Sequence, residues 1–274
     1  TIPSHVKEIG KYSFACCQNL KYIKFLPDSE LQIIRSQAFS ETDIETIEIP
    51  ATVTTLEEGW CTNMRSLSNI KIHENNKRYK NFDDKIVIGK SDINTDNYDI
   101  LIFVSRDVKE LQIPSFIKII GSYSFFKSSI EKIDLPNHIT DIQMGAFQSC
   151  KQLKTFEIHP DSNLRCIGQY CFTGSSIESI YIPKYIKKIN QAVFLSSSLK
   201  SIEFAPDSEL QVFGPNAFAE SHISKITIPV NVRELERYSF NECFDLNEFN
   251  IPIDSELVTI RDKAFCNSSI EYLY

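Results

Sequence analysis

A small residue followed by phenylalanine recurs along this 274-residue chain at nearly constant spacing, and no other feature of the sequence constrains the fold as strongly. Successive copies lie 22 or 24–25 residues apart, with short and long steps alternating, and an apolar residue stands five positions before each phenylalanine. Repeats of this length are typical of solenoids in which each repeat forms one turn. The phenylalanines that share this position, which we call the Phe slot, are Phe14, Phe39, Phe125, Phe147, Phe172, Phe194, Phe218, Phe240 and Phe265, and Cys61 occupies the slot once.

Each repeat also contains one segment of the form apolar-x-x-apolar-x-apolar, as in residues 20–25, 44–49 and 199–204. This alternation predicts a short strand with one buried face. Ten of the eleven prolines (all except Pro215) lie just past such a segment, where the missing backbone donor suits the end of a strand. The predicted strands begin at residues 20, 44, 67, 108, 130, 153, 177, 199, 223, 246 and 270. Stacked one per turn, these eleven strands predict a parallel sheet on the concave face of a right-handed solenoid.

The Phe slot predicts how the opposite wall is filled. One aromatic ring per turn can stack on the rings of adjacent turns and fill the core beneath that wall. Since no repeat contains a ten-residue helical pattern, we expect little helix, with short 3₁₀ turns and extended pieces in its place.

The longer repeats contain an insertion with the pattern Asp-Ser-Glu/Asn-Leu, as in residues 28–31 and 161–164. Most copies place two carboxylates together, and such pairs can serve glycoside hydrolysis or bind calcium. An active site needs one constellation, whereas this one recurs in every second turn. The repetition therefore favours a polar turn with local hydrogen bonds from the Asp and Ser side chains to the backbone.

These features resemble the BspA-like leucine-rich-repeat family (TpLRR type), whose unit reads IPxxVxxIGxxAFxxCxxLxxIxI. Residues 2–25 match it with Ile2, Pro3, Val6, Ile9, Gly10, Phe14, Cys17, Leu20 and Ile23, and a second match is centred on Ala146-Phe147. The resemblance implies a leucine-rich-repeat solenoid of the α/β class. Alternation with the Asp-Ser-Glu-Leu form is most similar to surface antigens of anaerobic mucosal protozoa. The resemblance also implies a surface protein that binds host matrix or other cells.

Charge and hydropathy exclude several classes of function. The chain has a formal net charge of −7, whereas binding to nucleic-acid phosphates or to an anionic membrane surface requires a basic face. No run of 18 apolar residues predicts a membrane span. The N-terminus lacks an initiator methionine and a signal peptide, so we expect this chain to be a fragment of a longer one.

Eight cysteines are present, and Cys17, Cys150 and Cys243 each lie three residues after the Phe slot. A cysteine in this position is best interpreted as a small buried apolar residue. The alternative is a disulfide between neighbouring turns, since Cys243 and Cys266 lie one repeat apart. No zinc-type spacing and no GxSxG, HExxH, P-loop or GxGxxG motif occurs, so we expect no metal, no cofactor and no catalysis.

The polar positions of the predicted strands form a repeated exposed surface. In the last such position, the middle of the chain presents Asp134, Glu157, Tyr181 and Glu203, which we call the strand-face row. A charged face of this kind is often only solvated, but the concave face of a solenoid is its usual binding surface. Our hypothesis is that the strand-face row contacts a basic or carbohydrate partner.

The repeat is interrupted once, between the strands predicted to begin at residues 67 and 108. Two alternating apolar runs, residues 85–90 and 98–104, flank a polar stretch and predict a β-hairpin. We expect an island at about residues 74–106 that projects from the solenoid and contacts a partner. The candidate contact residues are Arg78, Tyr79, Lys80, Asp92, Asn94, Asp96 and Tyr98.

Two further patterns in the island are weaker. Asp92, Asn94 and Asp96 imitate the opening of a calcium-binding EF-hand loop. Asn97 stands in the glycine position and Phe103 in the place of the final glutamate, so calcium binding is not expected. The basic cluster at residues 77, 78 and 80 is short, which favours a solvated surface.

The sequence therefore predicts a single leucine-rich-repeat domain over residues 1–274 that acts as a non-catalytic binding module. We expect a cell-surface or secreted adhesin whose partner is a protein or glycan derived from a host. An intracellular protein–protein scaffold is the alternative, favoured by the plentiful cysteines. Self-association, end to end or side by side, is a further way in which such a surface could be used.

Overall fold

The computed structural model describes residues 1–64 and 66–273, and it falls into two compact units. Unit 1 comprises Thr1–Val108 with Gly121–Ser124, and unit 2 comprises Lys109–Ile120 with Phe125–Tyr274. In both units the chain forms successive turns of a leucine-rich-repeat β-solenoid, about eleven in all, and none of the described residues is helical. The predicted fold class is confirmed, while the grouping of all residues into one domain stays a prediction.

Unit 1 contains eight strands, and the first five belong to two parallel ladders. One ladder joins β1, β2 and β4, and the other joins β3 to β5. The last three strands form an antiparallel group in the order β6-β7-β8. Their bounds are β1 Glu8–Ile9, β2 Ile33–Ile34, β3 Thr46–Ile49, β4 Thr55–Leu56, β5 Asn69–Ile72, β6 Tyr79–Asn81, β7 Ile86–Gly89 and β8 Ile100–Val104.

Unit 2 repeats the two-ladder arrangement with longer and shorter strands in alternation. The short strands pair as β9-β11-β13 and β15-β17-β19-β21, and the longer ones as β10-β12, β14-β16 and β18-β20-β22. Their bounds are β9 Ile119–Ile120, β10 Lys132–Leu135, β11 Asp141–Ile142, β12 Thr155–Ile158, β13 Cys166–Ile167, β14 Ser179–Ile182, β15 Lys188–Ile189, β16 Ser201–Phe204, β17 Val212–Phe213, β18 Lys225–Thr227, β19 Glu234–Leu235, β20 Glu248–Asn250, β21 Thr259–Ile260 and β22 Tyr272–Leu273.

Nine of the eleven predicted strands form, but two do not. Residues 20–25 make only an isolated bridge between Ile2 and Phe25, and residues 108–113 contain no strand. Val108 and Ile113 are nevertheless buried. The alternating pattern reports which side chains face the core, whereas a ladder also needs a neighbouring backbone in register over several residues. The pattern therefore marks the core-facing residues even where no strand forms, although Leu20, Ile23 and Phe25 are only half-buried.

The short ladder was not predicted. Each of its strands ends on the apolar residue that stands five positions before the Phe slot, as at Ile34, Ile142 and Leu235. Two residues are too few to show a period, so the sequence marks the buried residue and not the strand.

The phenylalanine stack is confirmed. In unit 2 the rings of Phe147, Phe172 and Phe194 lie 5.5 and 5.7 Å apart between centroids, within 9° of parallel, and all three side chains are fully buried. In unit 1, Phe14 and Phe39 stack in the same way at 5.6 Å. Each such pair adds about 0.5–1.5 kcal/mol beyond the apolar area that it buries.

The wall around the stack differs from the predicted 3₁₀ turns. The residues two before and two after each Phe slot have left-handed backbone conformations, as at Gly145 and Ser149 around Phe147, and only three of these residues are glycine. The backbone N–H groups of Gly145, Phe147 and Ser149 donate to the next turn at 2.8–3.0 Å. The N–H groups of the two residues between them donate to carbonyl groups within their own turn. The wall is therefore a third hydrogen-bonded ladder, which the left-handed residues make possible.

The Asp-Ser-Glu/Asn-Leu insertion is a turn, as predicted. In each of the four copies the serine Oγ accepts a hydrogen bond from the backbone N–H two residues later, at 3.2–3.3 Å. The serines in the first three copies are buried, whereas the flanking carboxylates Asp28 and Glu30 are exposed.

All eight cysteines are free thiols. Cys150 and Cys243 are buried as predicted, and each Sγ donates to a carbonyl group of the previous Phe slot, at 3.0 and 3.1 Å. Burial raises the pKa of the Cys243 thiol to about 11, so this thiol stays protonated at neutral pH. The prediction is wrong for Cys17, which is exposed. Cys17 belongs to the first described turn, where only one neighbouring turn packs against it.

We predict that Phe172→Ala lowers the free energy of unfolding by about 3–5 kcal/mol, since it removes a fully buried ring from the middle of the stack. Phe244→Ala is the matched control, because this side chain is 65% exposed and its loss should cost less than about 0.5 kcal/mol. Urea denaturation followed by circular dichroism measures both. Equal losses would contradict the role assigned to the stack.

The left-handed positions generate a second prediction. Ser149→Gly should raise the free energy of unfolding by about 0.5 kcal/mol. A left-handed non-glycine residue costs about 1–2 kcal/mol, but glycine also increases the conformational entropy of the unfolded chain, which offsets part of this gain. The same change at Ser179, which lies within β14, should lower stability by about 0.5–1 kcal/mol. Denaturation midpoints of this matched pair should therefore move in opposite directions.

Candidate functional site

The strand-face row lies on consecutive longer strands of unit 2, with its side chains on the solvent side. Asp134 on β10 is the register partner of Glu157 on β12, and Tyr181 on β14 is the register partner of Glu203 on β16. The residues on either side of them in each strand face the core, so the alternation predicted from the sequence holds at all four positions. Neighbouring strands are about 4.8 Å apart, which places the paired side chains within reach of one ligand.

Two of the three carboxylates in the row have basic partners, one on the adjacent strand β10 and one directly after β12. Lys132 Nζ lies 2.9 Å from Glu157 Oε1, and His159 Nε2 lies 3.5 Å from Asp134 Oδ1. Among the described ion pairs none involves Glu203, which is exposed. The negative charge of the row is therefore concentrated at its Glu203 end.

Tyr181 is the half-buried member of the row. Partial burial raises the pKa of its phenol, and the negative charges of Asp207 and Glu203 raise it further. Asp207 is itself held ionised by Lys184, whose Nζ lies 2.9 Å from its carboxylate and lowers its pKa. The Tyr181 hydroxyl is therefore neutral at physiological pH and can donate a hydrogen bond as well as accept one.

A cleft with both apolar and polar lining adjoins the row beside Glu203. The strands β16 and β18 are not paired with each other, and a cavity of about 650 Å³ lies over the gap. Its apolar lining includes Ile202 and Phe204, which are only half-buried, and its polar lining includes Lys200 and Lys225. The repeat pattern predicts both apolar residues as core residues, so the sequence gives no sign of this opening. The row therefore combines free negative charge with accessible apolar surface.

The island forms the predicted hairpin, in which β7 pairs antiparallel with β8, and it adds β6 as a third strand. The prediction that the island projects from the solenoid is wrong. Ile88 and Leu101 are fully buried, and Val87 and Phe103 belong to the hydrophobic core of unit 1. Both faces of β7 are apolar, so the hairpin can only be stable when the solenoid covers it.

Tyr79 has a structural position, which corrects its assignment as a contact residue. It is 5% exposed, and its hydroxyl accepts a hydrogen bond from Leu56 N at 3.0 Å and donates one to Thr54 O at 3.4 Å. Leu56 lies on β4, the edge strand of its ladder. The phenol therefore satisfies backbone groups that the next strand would otherwise pair.

Two asparagine side chains that the sequence analysis did not single out also form hydrogen bonds with backbone groups of neighbouring turns. Asn81 accepts a hydrogen bond from Ile72 N and donates one to Ile70 O on the edge strand β5, both at 2.8 Å. The buried Asn76 donates to the carbonyl groups of Pro50 and Val53, at 2.8 and 3.0 Å. Only the irregular spacing around the island could have drawn attention to them.

The polar loop between β7 and β8 is ordered by its own side chains. Asp92 Oδ1 accepts hydrogen bonds from the backbone N and the side-chain Nδ2 of Asn94, both at 2.9 Å. Asp99 holds Ser91 N and Oγ at 2.8 and 2.7 Å. Within the described residues no cluster of three or more metal-binding side chains occurs.

Three of the other predicted contact residues of the island line one groove. Arg78, Asp96 and Tyr98 line a cavity of about 740 Å³ between the island and residues 51–54, and Lys80 lies over the Tyr98 ring at 4.1 Å. The groove also contains Lys90, which sequence reasoning missed because it ends an apolar run. Asp92 and Asn94 are not part of this lining.

A family model described as "BspA type Leucine rich repeat region" matches residues 1–100, 102–197 and 165–274, with six copies. The chain belongs to this BspA-type leucine-rich-repeat family. None of the curated proteins compared with the chain matches it. The prediction of a likeness to protozoan members in particular stays a prediction.

Solved structures share this fold. A leucine-rich repeat protein from Eubacterium ventriosum is 23% identical, with a TM-score of 0.79, over 98% of this chain and 70% of that one. A leucine rich cell surface protein from Faecalibacterium prausnitzii is 21% identical, with a TM-score of 0.61, over 91% and 58%. The pneumococcal vaccine antigen PcpA is 20% identical, with a TM-score of 0.61, over 92% and 57%. The chain thus spans little more than half the length of the last two, and these likenesses show the fold alone.

Within the described part of this BspA-type chain, no helix is long and apolar enough to cross a membrane.

We predict that Tyr79→Phe lowers the free energy of unfolding by about 1–3 kcal/mol, because Leu56 N loses its acceptor in a buried place. Tyr98→Phe is the control, since no hydrogen bond of that hydroxyl is described. Chemical denaturation of the two variants measures the difference. A Tyr79→Phe protein as stable as Tyr98→Phe would contradict the edge-capping role.

Proposed function

We propose that this BspA-type leucine-rich-repeat protein is a non-catalytic binding module that acts as an adhesin at a cell surface. Its partner is a host matrix protein, host cell or host glycan, and the strand-face row is the contact surface. The observation that carries this proposal is the juxtaposition of Glu203, which has no ion pair among the described residues, with the half-buried Tyr181 and the cleft between β16 and β18.

The composition of this surface favours a partner that is basic and partly apolar. A few residues supply most of the affinity of an interface, and tyrosine is over-represented among them because it combines a broad ring with a hydrogen-bonding tip. The apolar part of the cleft lining, Ile202 and Phe204, supplies area that water would leave, while Glu203 supplies complementary charge. A cationic peptide segment with an apolar side chain meets both requirements.

Two similar structures support a surface location. One is described as a cell surface protein and another as a vaccine antigen, and both are longer than this chain. Repeat proteins also carry binding faces more often than active sites, because each turn presents the same positions again.

A second candidate is an intracellular protein–protein scaffold, and the eight free cysteines are the observation that favours it. Disulfides are common in secreted proteins and rare in reducing compartments. Labelling intact cells with a membrane-impermeant reagent separates the two locations. Absence of label on the protein, together with label on a known surface protein, would contradict the adhesin.

To test the contact surface, we replace the row as Asp134→Asn, Glu157→Gln, Tyr181→Ser and Glu203→Gln. We expect affinity for immobilised host matrix proteins and for host cells to fall at least about tenfold, since several central contacts are removed. Biolayer interferometry with the intact chain measures it.

The matched control removes three carboxylates away from the row, by Asp161→Asn, Asp254→Asn and Asp262→Asn, and should bind as the parent does. All three residues are exposed in the same unit. Binding that is unchanged in the row variant, or weakened equally in both, would contradict the proposed surface.

A further inference from the structure

The groove between the island and residues 51–54 contains a lysine whose side chain is buried. The Lys90 side chain is 8% exposed, although a lysine normally keeps its ammonium group in water. Its described polar contact is with Asp96 Oδ1 at 3.5 Å, at the upper limit of a hydrogen bond, and the Asp96 side chain is fully exposed. A buried lysine side chain with one long polar contact, to an exposed carboxylate, is incompletely compensated.

Arg78 lines the same groove and is also incompletely paired. Its Nε is buried and has no hydrogen-bond partner. The guanidinium forms a hydrogen bond with the Tyr79 side chain and a long one, from a terminal nitrogen, to Ser91 O at 3.5 Å. Buried polar atoms are satisfied in the great majority of cases, so an orphaned guanidinium nitrogen beside an undersatisfied ammonium is a specific signal.

The remaining lining limits the size and chemistry of what can enter. Ile93, which is 46% exposed, and Tyr98 provide apolar surface, and the Lys90 Nζ lies 5.0 Å from the centre of the Tyr98 ring. Glu74 and Lys77 complete the charged groups of the lining. A volume of about 740 Å³ lies within the range of small-molecule sites, which is about 300–1,000 Å³.

From this convergence we infer that the groove is a binding site for an oxyanion, namely a sulfate, phosphate or carboxylate group, carried on a molecule of the size of one or two sugar residues. Lys90 and the Arg78 guanidinium bind the anion, and the carrier packs on Ile93 and Tyr98. In the empty site the Asp96 carboxylate contacts the Lys90 ammonium group, and it moves into solvent when the ligand binds. The site lies wholly within unit 1, is separate from the strand-face row and does not depend on the proposed adhesion.

The role of Asp96 gives the inference a consequence that a purely structural Lys90 would not have. A carboxylate that competes with the ligand weakens binding, so its neutralisation should strengthen it. We therefore expect Asp96→Asn to bind the anion about fivefold more tightly, whereas Lys90→Met should bind it at least about tenfold more weakly, as expected on loss of a charge-assisted hydrogen bond.

The experiment is isothermal titration calorimetry of the whole chain with glucose 6-sulfate, glucose 6-phosphate and glucuronate, with glucose as the neutral probe. We expect saturable binding of one or more of the three anions at one site, weakened by added sodium chloride, and no heat from glucose. The relative affinities of the three probes distinguish sulfate, phosphate and carboxylate. Lys109→Met, at a lysine whose side chain is 72% exposed in unit 2, is the control and should leave the affinity unchanged.

The inference would be overturned if none of the anions bound at 10 mM probe, which is roughly the weak end of specific affinities. Equal affinity for glucose and the anions would also overturn it, and so would an unchanged anion affinity in Lys90→Met. Methionine has a similar length to lysine and suits an apolar site, so we expect this variant to fold. If it does not, Arg78→Gln replaces it, with the same expected loss. Tighter binding by Asp96→Asn supports the inference, and weaker binding contradicts it.

Discussion

The stack of aromatic rings in the Phe slots, together with the backbone ladder around it, is the interaction on which the rest of this protein depends. A single turn has no core of its own, because its inward side chains are covered only when a second turn lies against them. The ring of Phe172 is covered by those of Phe147 and Phe194, and its backbone N–H donates to the following turn. Left-handed residues on both sides of each slot aim the N–H groups along the stack, at a conformational cost that the repeated burial offsets.

Once turns are held by this wall, the exposed positions are free to vary. Ion pairs join successive turns without determining the fold, as where Arg35 bridges Glu8 and Glu57 at 2.6 and 2.5 Å. The Arg35 hydrogen bond lowers the pKa of Glu8, so whatever stability this pair adds is present above the ordinary value of 4.5 and is lost as the pH falls through the lowered one. Such exposed pairs are screened by water and contribute little. The strand-face row draws on the same freedom, with a different charge pattern on each strand.

The island shows how an interruption of the repeat creates a site that no repeat contains. Its side chains end the two ladders of unit 1, because Tyr79 binds the backbone of the edge strand β4 and Asn81 binds that of β5. Because the hairpin is pressed into the core, its polar loop lies against residues 51–54 and encloses Lys90. The structural role and the candidate anion site are thus two results of one packing arrangement.

The sequence by itself determined the repeat, the buried residues, most of the longer strands, the ring stack and the existence of the hairpin. These follow from periodicity, which records which side chains face inward along a short stretch of chain. Only the tertiary structure decided that Tyr79 caps an edge strand, that the hairpin is buried, that β16 and β18 separate beside Glu203, and that Lys90 meets Arg78. Each of these depends on how backbones about 10 to 25 residues apart are placed against one another. A local sequence pattern does not specify how such segments are placed in space. The register and the packing of an insertion are set by the whole set of contacts that it makes.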